Sequence, residues 1–272
     1  MVNGFVAASL QEALEIRASQ NVVPYSGGTD LMVENRPDVS YLFLAKIPEL
    51  KGIKADGEYI RIGAEVTFTQ ALESPLVPPL MKEAVALIAA PAIRNAGTFA
   101  GNIGNGSAKA DSVLIDFVAD AKLCLSSLRG TRVVDMDKFY LGRKKLDLQN
   151  DELITEILLP STGLENYYYK KIGGRNALAI SRVSFAGVIQ MDGDRILSFA
   201  AGFGAVADTV LRFKDLEAML IGKTLSEAAA IKADVLNAYS DRMVLTRGRV
   251  SAEYRKTVCL NLLNDFMTEK GI

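Results

Sequence analysis

Histidine is absent from the 272 residues. Its absence removes serine-histidine-aspartate hydrolysis, cysteine-histidine proteolysis, histidine-ligated metals and imidazole acid–base work. Chemistry must therefore come from a cofactor, and a flavin could not be tethered through histidine. The only two cysteines, Cys124 and Cys259, lie far apart and form no CxxC or metal-ligand spacing, which argues against an iron–sulfur centre or a structural zinc and for two buried apolar fillers. A long apolar run is missing too. The most apolar stretch, residues 84–93, is bounded by Lys82, Glu83 and Arg94 and falls far short of a bilayer span. Residues 1–19 lack the basic start and unbroken apolar core of a secretory signal, so the cytoplasm is the expected location. Neither sign of charge dominates: the formal net charge of −1 offers no basic face to nucleic acid or an anionic membrane.

What is present is ample apolar content, 49% hydrophobic against 23% charged, enough for an ordinary core divided between two domains. Ser9, Leu10, Gln11 and Glu12 read as a capping box opening a helix with Leu10, Ala13, Leu14 and Ile16 on its apolar face. Residues 22–25 read as a strand that ends at Ser26-Gly27-Gly28-Thr29-Asp30, with Leu31, Met32 and Val33 as a helical turn beyond. Short strands are expected over 41–44, 52–55 and 59–63, a capped helix from Thr67, and an alanine-rich helix after Pro78-Pro79. Residues 96–110 read as a small-residue loop too long to be only a connector, followed by a helix over 111–119. Strands over 122–125, 131–135 and 153–158 finish an α+β domain near Pro160. Beyond a boundary placed near residue 163 the pattern changes. Residues 183–191 and 195–203 alternate as a hairpin about Asp192-Gly193-Asp194, and helices follow from Arg212, Thr224 and Ser251.

Both glycine-containing loops join a strand-like to a helix-like segment, where free backbone N–H groups can receive an anion such as a pyrophosphate. In the first, Gly27 and Gly28 allow close approach while Thr29 and Asp30 supply side-chain hydrogen bonds. In the second, Thr98, Gly101, Asn102, Asn105 and Ser107 gather hydroxyls and amides, with Asp111 at the next helix start. Each loop alone reads more readily as a tight turn with a polar cap, and Asp111 equally well as an ordinary capping residue. A third glycine pattern, Gly202-Phe203-Gly204-Ala205-Val206-Ala207, matches GxGxxA after a strand. No helix opens directly behind it and the acidic residue expected about twenty positions on falls in a helical stretch, so it reads as a hairpin end.

Taken as a pair, Tyr25-Ser26-Gly27-Gly28-Thr29-Asp30-Leu31 and Ile93-Arg94-Asn95-Ala96-Gly97-Thr98-Phe99-Ala100-Gly101-Asn102 closely resemble the two FAD loops of the medium subunits of molybdenum hydroxylases, the family of xanthine, nicotinate and carbon monoxide dehydrogenases. The family shows AGGTDL in the first and IRNxGTIGGNIxNASPAAD in the second, and the run from Arg247 to Lys256 resembles its RGSAEYRR segment. The resemblance implies a two-lobed FAD-binding domain of the vanillyl-alcohol-oxidase type over residues 1–163. A smaller C-terminal domain of antiparallel sheet and helices would fill 164–272. It implies that Pro24, Tyr25, Ser26, Gly27, Gly28, Thr29, Asp30 and Leu31 hold the FAD pyrophosphate and that Thr98, Ala100, Gly101, Asn102 and Asn105 continue the cradle. By the same carry-over Asp111 binds the ribityl or ribose region, Ile88 and Ala89 line the adenine and ring pocket, Leu148 packs near the isoalloxazine, and Lys170, next to Lys171, lies at the flavin edge.

No catalytic side chain and no metal ligand is implied in this chain. The implied assembly is a dimer of heterotrimers, with [2Fe-2S] clusters in a small subunit and molybdopterin in a large one, passing electrons through non-covalent FAD to NAD or another acceptor. Three positions depart from the family pattern: Ala100 replaces the first glycine of GGN, Lys109 stands where a small residue is usual, and Val210 replaces a proline. Ala100 costs little if its φ is negative and strains the loop if φ must be positive. Ala100 and Lys109 are the support for a competing expectation, a non-catalytic assembly subunit with a degenerate flavin site.

Overall fold

The computed structural model describes residues 4–34 and 38–272. Packing divides them into two units that do not follow chain order. The first takes Met1–Val77, Ala89–Ser107 and Asp120–Ser161; the second takes Pro78–Ile88, Ala108–Ala119 and Thr162–Ile272.

The first unit holds two larger sheets, the two lobes of an α+β fold, and a small hairpin of Tyr140–Gly142 with Lys145–Leu146. One is parallel and three-stranded, with Ser40–Phe43 between Gly4–Val6 and Val22–Tyr25. The strand Val22–Tyr25 matches its expected bounds because the apolar run stops at the glycine pair. Helix Leu10–Ser19 starts at Ser9, whose Oγ accepts from the Glu12 N–H. The Glu12 carboxylate accepts from the Ala8 N–H at 2.7 Å, one residue earlier than a capping box requires. The other sheet is antiparallel, in the order Ile53–Asp56, Tyr59–Gly63, Leu153–Pro160, Lys122–Ser127, Gly130–Asp135.

The segment expected to be a bare loop over 96–110 contains a helix, Phe99–Gly104, capped by the Thr98 hydroxyl accepting from the Gly101 N–H at 3.0 Å. Its glycines hid it, since glycine lowers helix propensity. Phe99 and Ile103, fully buried, hold it by tertiary packing instead.

The second unit is built on a four-stranded antiparallel sheet in the order Tyr167–Ile172, Val183–Asp192, Arg195–Gly204, Leu211–Arg212. Alternation sorts its two faces. Phe185, Phe199 and Phe203 pack with Tyr239 and Phe266 from helices Lys232–Arg242 and Ala252–Glu269. Ser184 pairs with Gly204 and Ala186 with Gly202 on the other face, and these small residues let helix Asp111–Val118 lie close. A methyl on Gly202 would fall 2.7 Å from Val118 and 3.0 Å from Leu114. The GxGxxA run therefore begins in the last three residues of strand Arg195–Gly204 and continues past its end, and its glycines serve packing. Where a helix was expected from Arg212, Leu211–Arg212 is a short edge strand and the helix runs Lys214–Glu217. Both cysteines are free and buried. In the segment around 247–256, Arg255 is buried and donates to the backbone carbonyls of Val206 and Thr246, so its work is to pin a loop.

Candidate functional site

Both glycine loops belong to the first unit, and they meet. Strand Val22–Tyr25 delivers the chain to Ser26, whose hydroxyl donates to Glu65. Burial pushes the Glu65 carboxyl upward, opposed by that hydroxyl and by Lys51. At Gly27 the two loops touch: a methyl there would fall 1.8 Å from the Ala96 carbonyl oxygen. Gly28 has φ +66°, and a methyl on it would strike the Tyr25 hydroxyl at 2.0 Å. Tyr25 is itself wedged by its ring against Tyr41 and Phe43, with centroids 5.5 and 4.8 Å away. Asp30 ties the loops a second time, its carboxylate accepting from Asn105 Nδ2.

Pro24, Thr29 and Leu31 are half-buried on the first loop, and Asp30 is exposed. On the second, Thr98 is the cap, Asn102 follows within the helix and Asn105 closes it. Ala100 sits inside the helix, outside the residues with positive φ, so the departure from glycine carries no backbone strain. Lys109 is exposed.

Among the described residues, the backbone N–H groups of Gly27, Gly28, Thr29 and Asp30 donate to no protein acceptor. Unspent amides at a tight glycine turn, beside the hydroxyl and amide side chains of a second loop, fit an anionic diphosphate. These residues are half-buried or exposed, so their amides remain reachable by a ligand from solvent.

Two further expected residues lie in the first unit but apart in sequence. Leu148 is half-buried within a segment fastened by Asp147, whose N–H donates to the Phe139 carbonyl at 2.8 Å. Arg132 fixes the same segment, donating to Asp147 at 2.7 Å and to both carboxylate oxygens of Glu152. Hydrogen bonding to Arg132 holds the Glu152 carboxyl below its usual range. Ala89 has φ +44°, and its carbonyl accepts from Arg94 at 2.8 Å. A side chain held in left-handed backbone costs of order 1 kcal/mol and collects at functional sites.

Ile88, Asp111 and Lys170 fall in the second unit. Ile88 is half-buried just after helix Pro79–Ala86. Asp111 is the first residue of helix Asp111–Val118, with Ala110 as the cap. Its carboxylate accepts from Ser181 Oγ at 2.7 Å and pairs with Lys171 Nζ at 2.8 Å. Lys171 also donates to the Leu87 carbonyl at 2.8 Å. Lys170, by contrast, is exposed and lies over the Tyr168 ring, 5.7 Å from its centroid. Strand alternation decides between the two lysines: the one turned inward beside Asp111 is Lys171. Lys171 borders a cavity of about 460 Å³ lined also by Leu87, Gly173, Gly174, Arg175 and Leu178. The buried Tyr169 hydroxyl has no hydrogen-bond partner among the described residues, and burial raises its pKa.

Sequence reasoning left out Glu65, and it set Lys171 beside Lys170 without choosing it. Neither belongs to a glycine motif; strand register brings each into place, a signal that single-residue patterns do not carry.

A glycine turn after a strand and a second one that follows helix Pro91–Arg94, where a strand was expected, meet at unspent amides that suit an anionic, diphosphate-bearing cofactor. Residues 1–162 match the family described as the FAD binding domain in molybdopterin dehydrogenase, and residues 167–270 match the CO dehydrogenase flavoprotein C-terminal domain. The chain is 32% identical to the xanthine dehydrogenase FAD-binding subunit of Escherichia coli O157:H7, over 98% of its length and 93% of the relative's. It is 30% identical to the nicotinate dehydrogenase FAD-subunit of Eubacterium barkeri over 93% and 90% of the two chains. Carbon monoxide dehydrogenase from Hydrogenophaga pseudoflava superimposes with a TM-score of 0.89 at 26% identity, covering 97% of this chain and 95% of the other. The chain belongs to the FAD-binding subunits of the molybdenum hydroxylases, the oxidoreductase family of the xanthine, nicotinate and carbon monoxide dehydrogenases.

Proposed function

We propose that this chain holds one FAD non-covalently and relays electrons to a soluble acceptor such as NAD. The donor would be the [2Fe-2S] clusters of a small partner subunit, within a complex whose large subunit carries molybdopterin. The observation that carries the proposal is the meeting of the two glycine loops at amides with no protein acceptor. FAD, when bound, supplies redox chemistry that no side chain here can perform.

The chain's own part is binding and orientation. Backbone N–H groups from Gly27 to Asp30 receive the diphosphate, and Thr98, Gly101, Asn102 and Asn105 complete the cradle. Leu148, on the segment that Arg132 fastens, packs near the isoalloxazine. Ile88 and Ala89 line the cofactor pocket and Asp111 serves the ribityl or ribose hydroxyls, assignments that rest on the family resemblance. For the cation at the flavin edge, burial and pairing with Asp111 favour Lys171 over Lys170. As for domains, residues 1–163 form the flavin-binding domain and 164–272 the C-terminal domain, a division supported by the two family matches. The competing assembly-subunit reading loses half its footing, because Ala100 is accommodated in helix without strain.

Mass spectrometry of the intact native complex is the test. The reading expects one FAD for each copy of this chain together with a cysteine-rich small subunit and a molybdopterin-bearing large one. A native complex without flavin overturns it.

A further inference from the structure

Lys144 stands at the turn of a small hairpin between Tyr140–Gly142 and Lys145–Leu146, in left-handed backbone with φ +57°. A lysine there carries a conformational cost that glycine or asparagine would avoid. The turn is docked on the second loop: the Lys144 N–H donates to the Gly106 carbonyl at 3.3 Å, and a methyl on Gly106 would fall 3.1 Å from Lys144 Cα.

From that position Nζ donates to Asn105 Oδ1 at 2.6 Å and lies 3.6 Å from a Glu34 carboxylate oxygen. With its oxygen so occupied, Asn105 presents Nδ2 to Asp30. A continuous chain of contacts, Glu34 to Lys144 to Asn105 to Asp30, thus links the helix after the first loop, the hairpin, the second loop and the first loop. Its charges have a consequence for an anion. Asp30 carries one carboxylate on the turn whose amides are proposed to receive the diphosphate, and Glu34 adds a second four residues on, joined to it through Lys144 and Asn105; like charges repel over several ångströms even in water. Lys144 is the cation joined to both through this network.

We infer that Lys144 is a positioning residue of the diphosphate cradle: it fixes the Asn105 amide that fastens the two glycine loops, and it offsets the carboxylates that would repel the ligand. The inference rests on the flavin reading given above. Exposed ion pairs are individually weak, so the expected effect is moderate and depends on salt.

The test is FAD binding to the full-length chain in its native complex, stripped of flavin and titrated by fluorescence, for wild type, K144M, K144R, E34Q and E34Q/K144M. K144M should weaken FAD about tenfold at low salt, while K144R stays within about threefold of wild type. The penalty should shrink at high salt. E34Q alone should tighten FAD, and E34Q/K144M should recover much of the loss, a rescue that a purely structural role of Lys144 would not give. Should K144M fail to fold, E34Q and K144R still decide. Wild type holding FAD, with K144M equal to it in affinity, overturns the clamp alone. So does a K144M defect that neither salt nor E34Q relieves. Wild type unable to hold FAD overturns the flavin reading itself.

Discussion

Gly27 stands where no side chain fits, because the Ala96 carbonyl occupies the place of a Cβ. G27A must push the loops apart, and overpacking of this kind costs about 1 to 3 kcal/mol, which is roughly a 5- to 150-fold loss of FAD affinity. Flavin retained on gel filtration of the variant complex, measured against protein, checks this. The glycine pair was legible in the sequence because a tight turn leaves a residue-level mark. The partners of Asp111 were not. Lys171 and Ser181 reach it from 60 and 70 positions away along strand Tyr167–Ile172 and just before strand Val183–Asp192, and only strand pairing shows which of two adjacent lysines turns inward.

Helix Asp111–Val118 is buried on every residue, and it carries an acid with no hydrogen-bond partner among the described residues, Asp116. Desolvation pushes that carboxyl up to about 8. The unfolded chain ionises Asp116 near its ordinary value, while the folded chain keeps the proton until about pH 8. Between those two values the folded state binds more protons than the unfolded, so stability falls as pH rises, by up to about 1.4 kcal/mol per unit, and levels off above about pH 8. D116N should remove this contribution and make the protein more stable at pH 7 than wild type. Urea unfolding at pH 5, 6, 7 and 8 checks it; a variant with the wild-type slope contradicts it.

Helix Phe99–Gly104, within the second loop, starts at the Thr98 hydroxyl. Its hydroxyl cap is removed in T98A, at a cost of about 1 kcal/mol in stability, together with weaker FAD if Thr98 joins the cradle as proposed. Thermal melts with and without flavin separate the two effects. The hairpin Val183–Asp192 with Arg195–Gly204 and the caps at Thr67 and Thr224 were readable from alternation and from capping residues, whereas strands Gly4–Val6 and Tyr167–Ile172 were not expected. The short strands Tyr140–Gly142 and Lys145–Leu146 were not, being too brief to show a period.

Across the whole molecule the chain leaves and re-enters its packing units: residues 78–88 and 108–119 pack with the C-terminal sheet. Sequence order cannot announce this, because the apolar residues of those segments look alike whichever sheet receives them. The pairing of Ser184 with Gly204 and Ala186 with Gly202 is the physical reason for the second case, since a helix packs closely only where the sheet face is smooth. G202V, on that face, should destabilise by about 1 to 3 kcal/mol through overpacking against Val118 and Leu114, read by chemical denaturation.

One diphosphate gripped by two loops is the proposed centre of this chain's function. An experimental structure of the native complex with its flavin tests that most directly. The account predicts the diphosphate oxygens within hydrogen-bond distance of the Gly27 to Asp30 amides, with Thr98 to Asn105 on their other side. A flavin bound with its diphosphate elsewhere, leaving those amides to water, would contradict it.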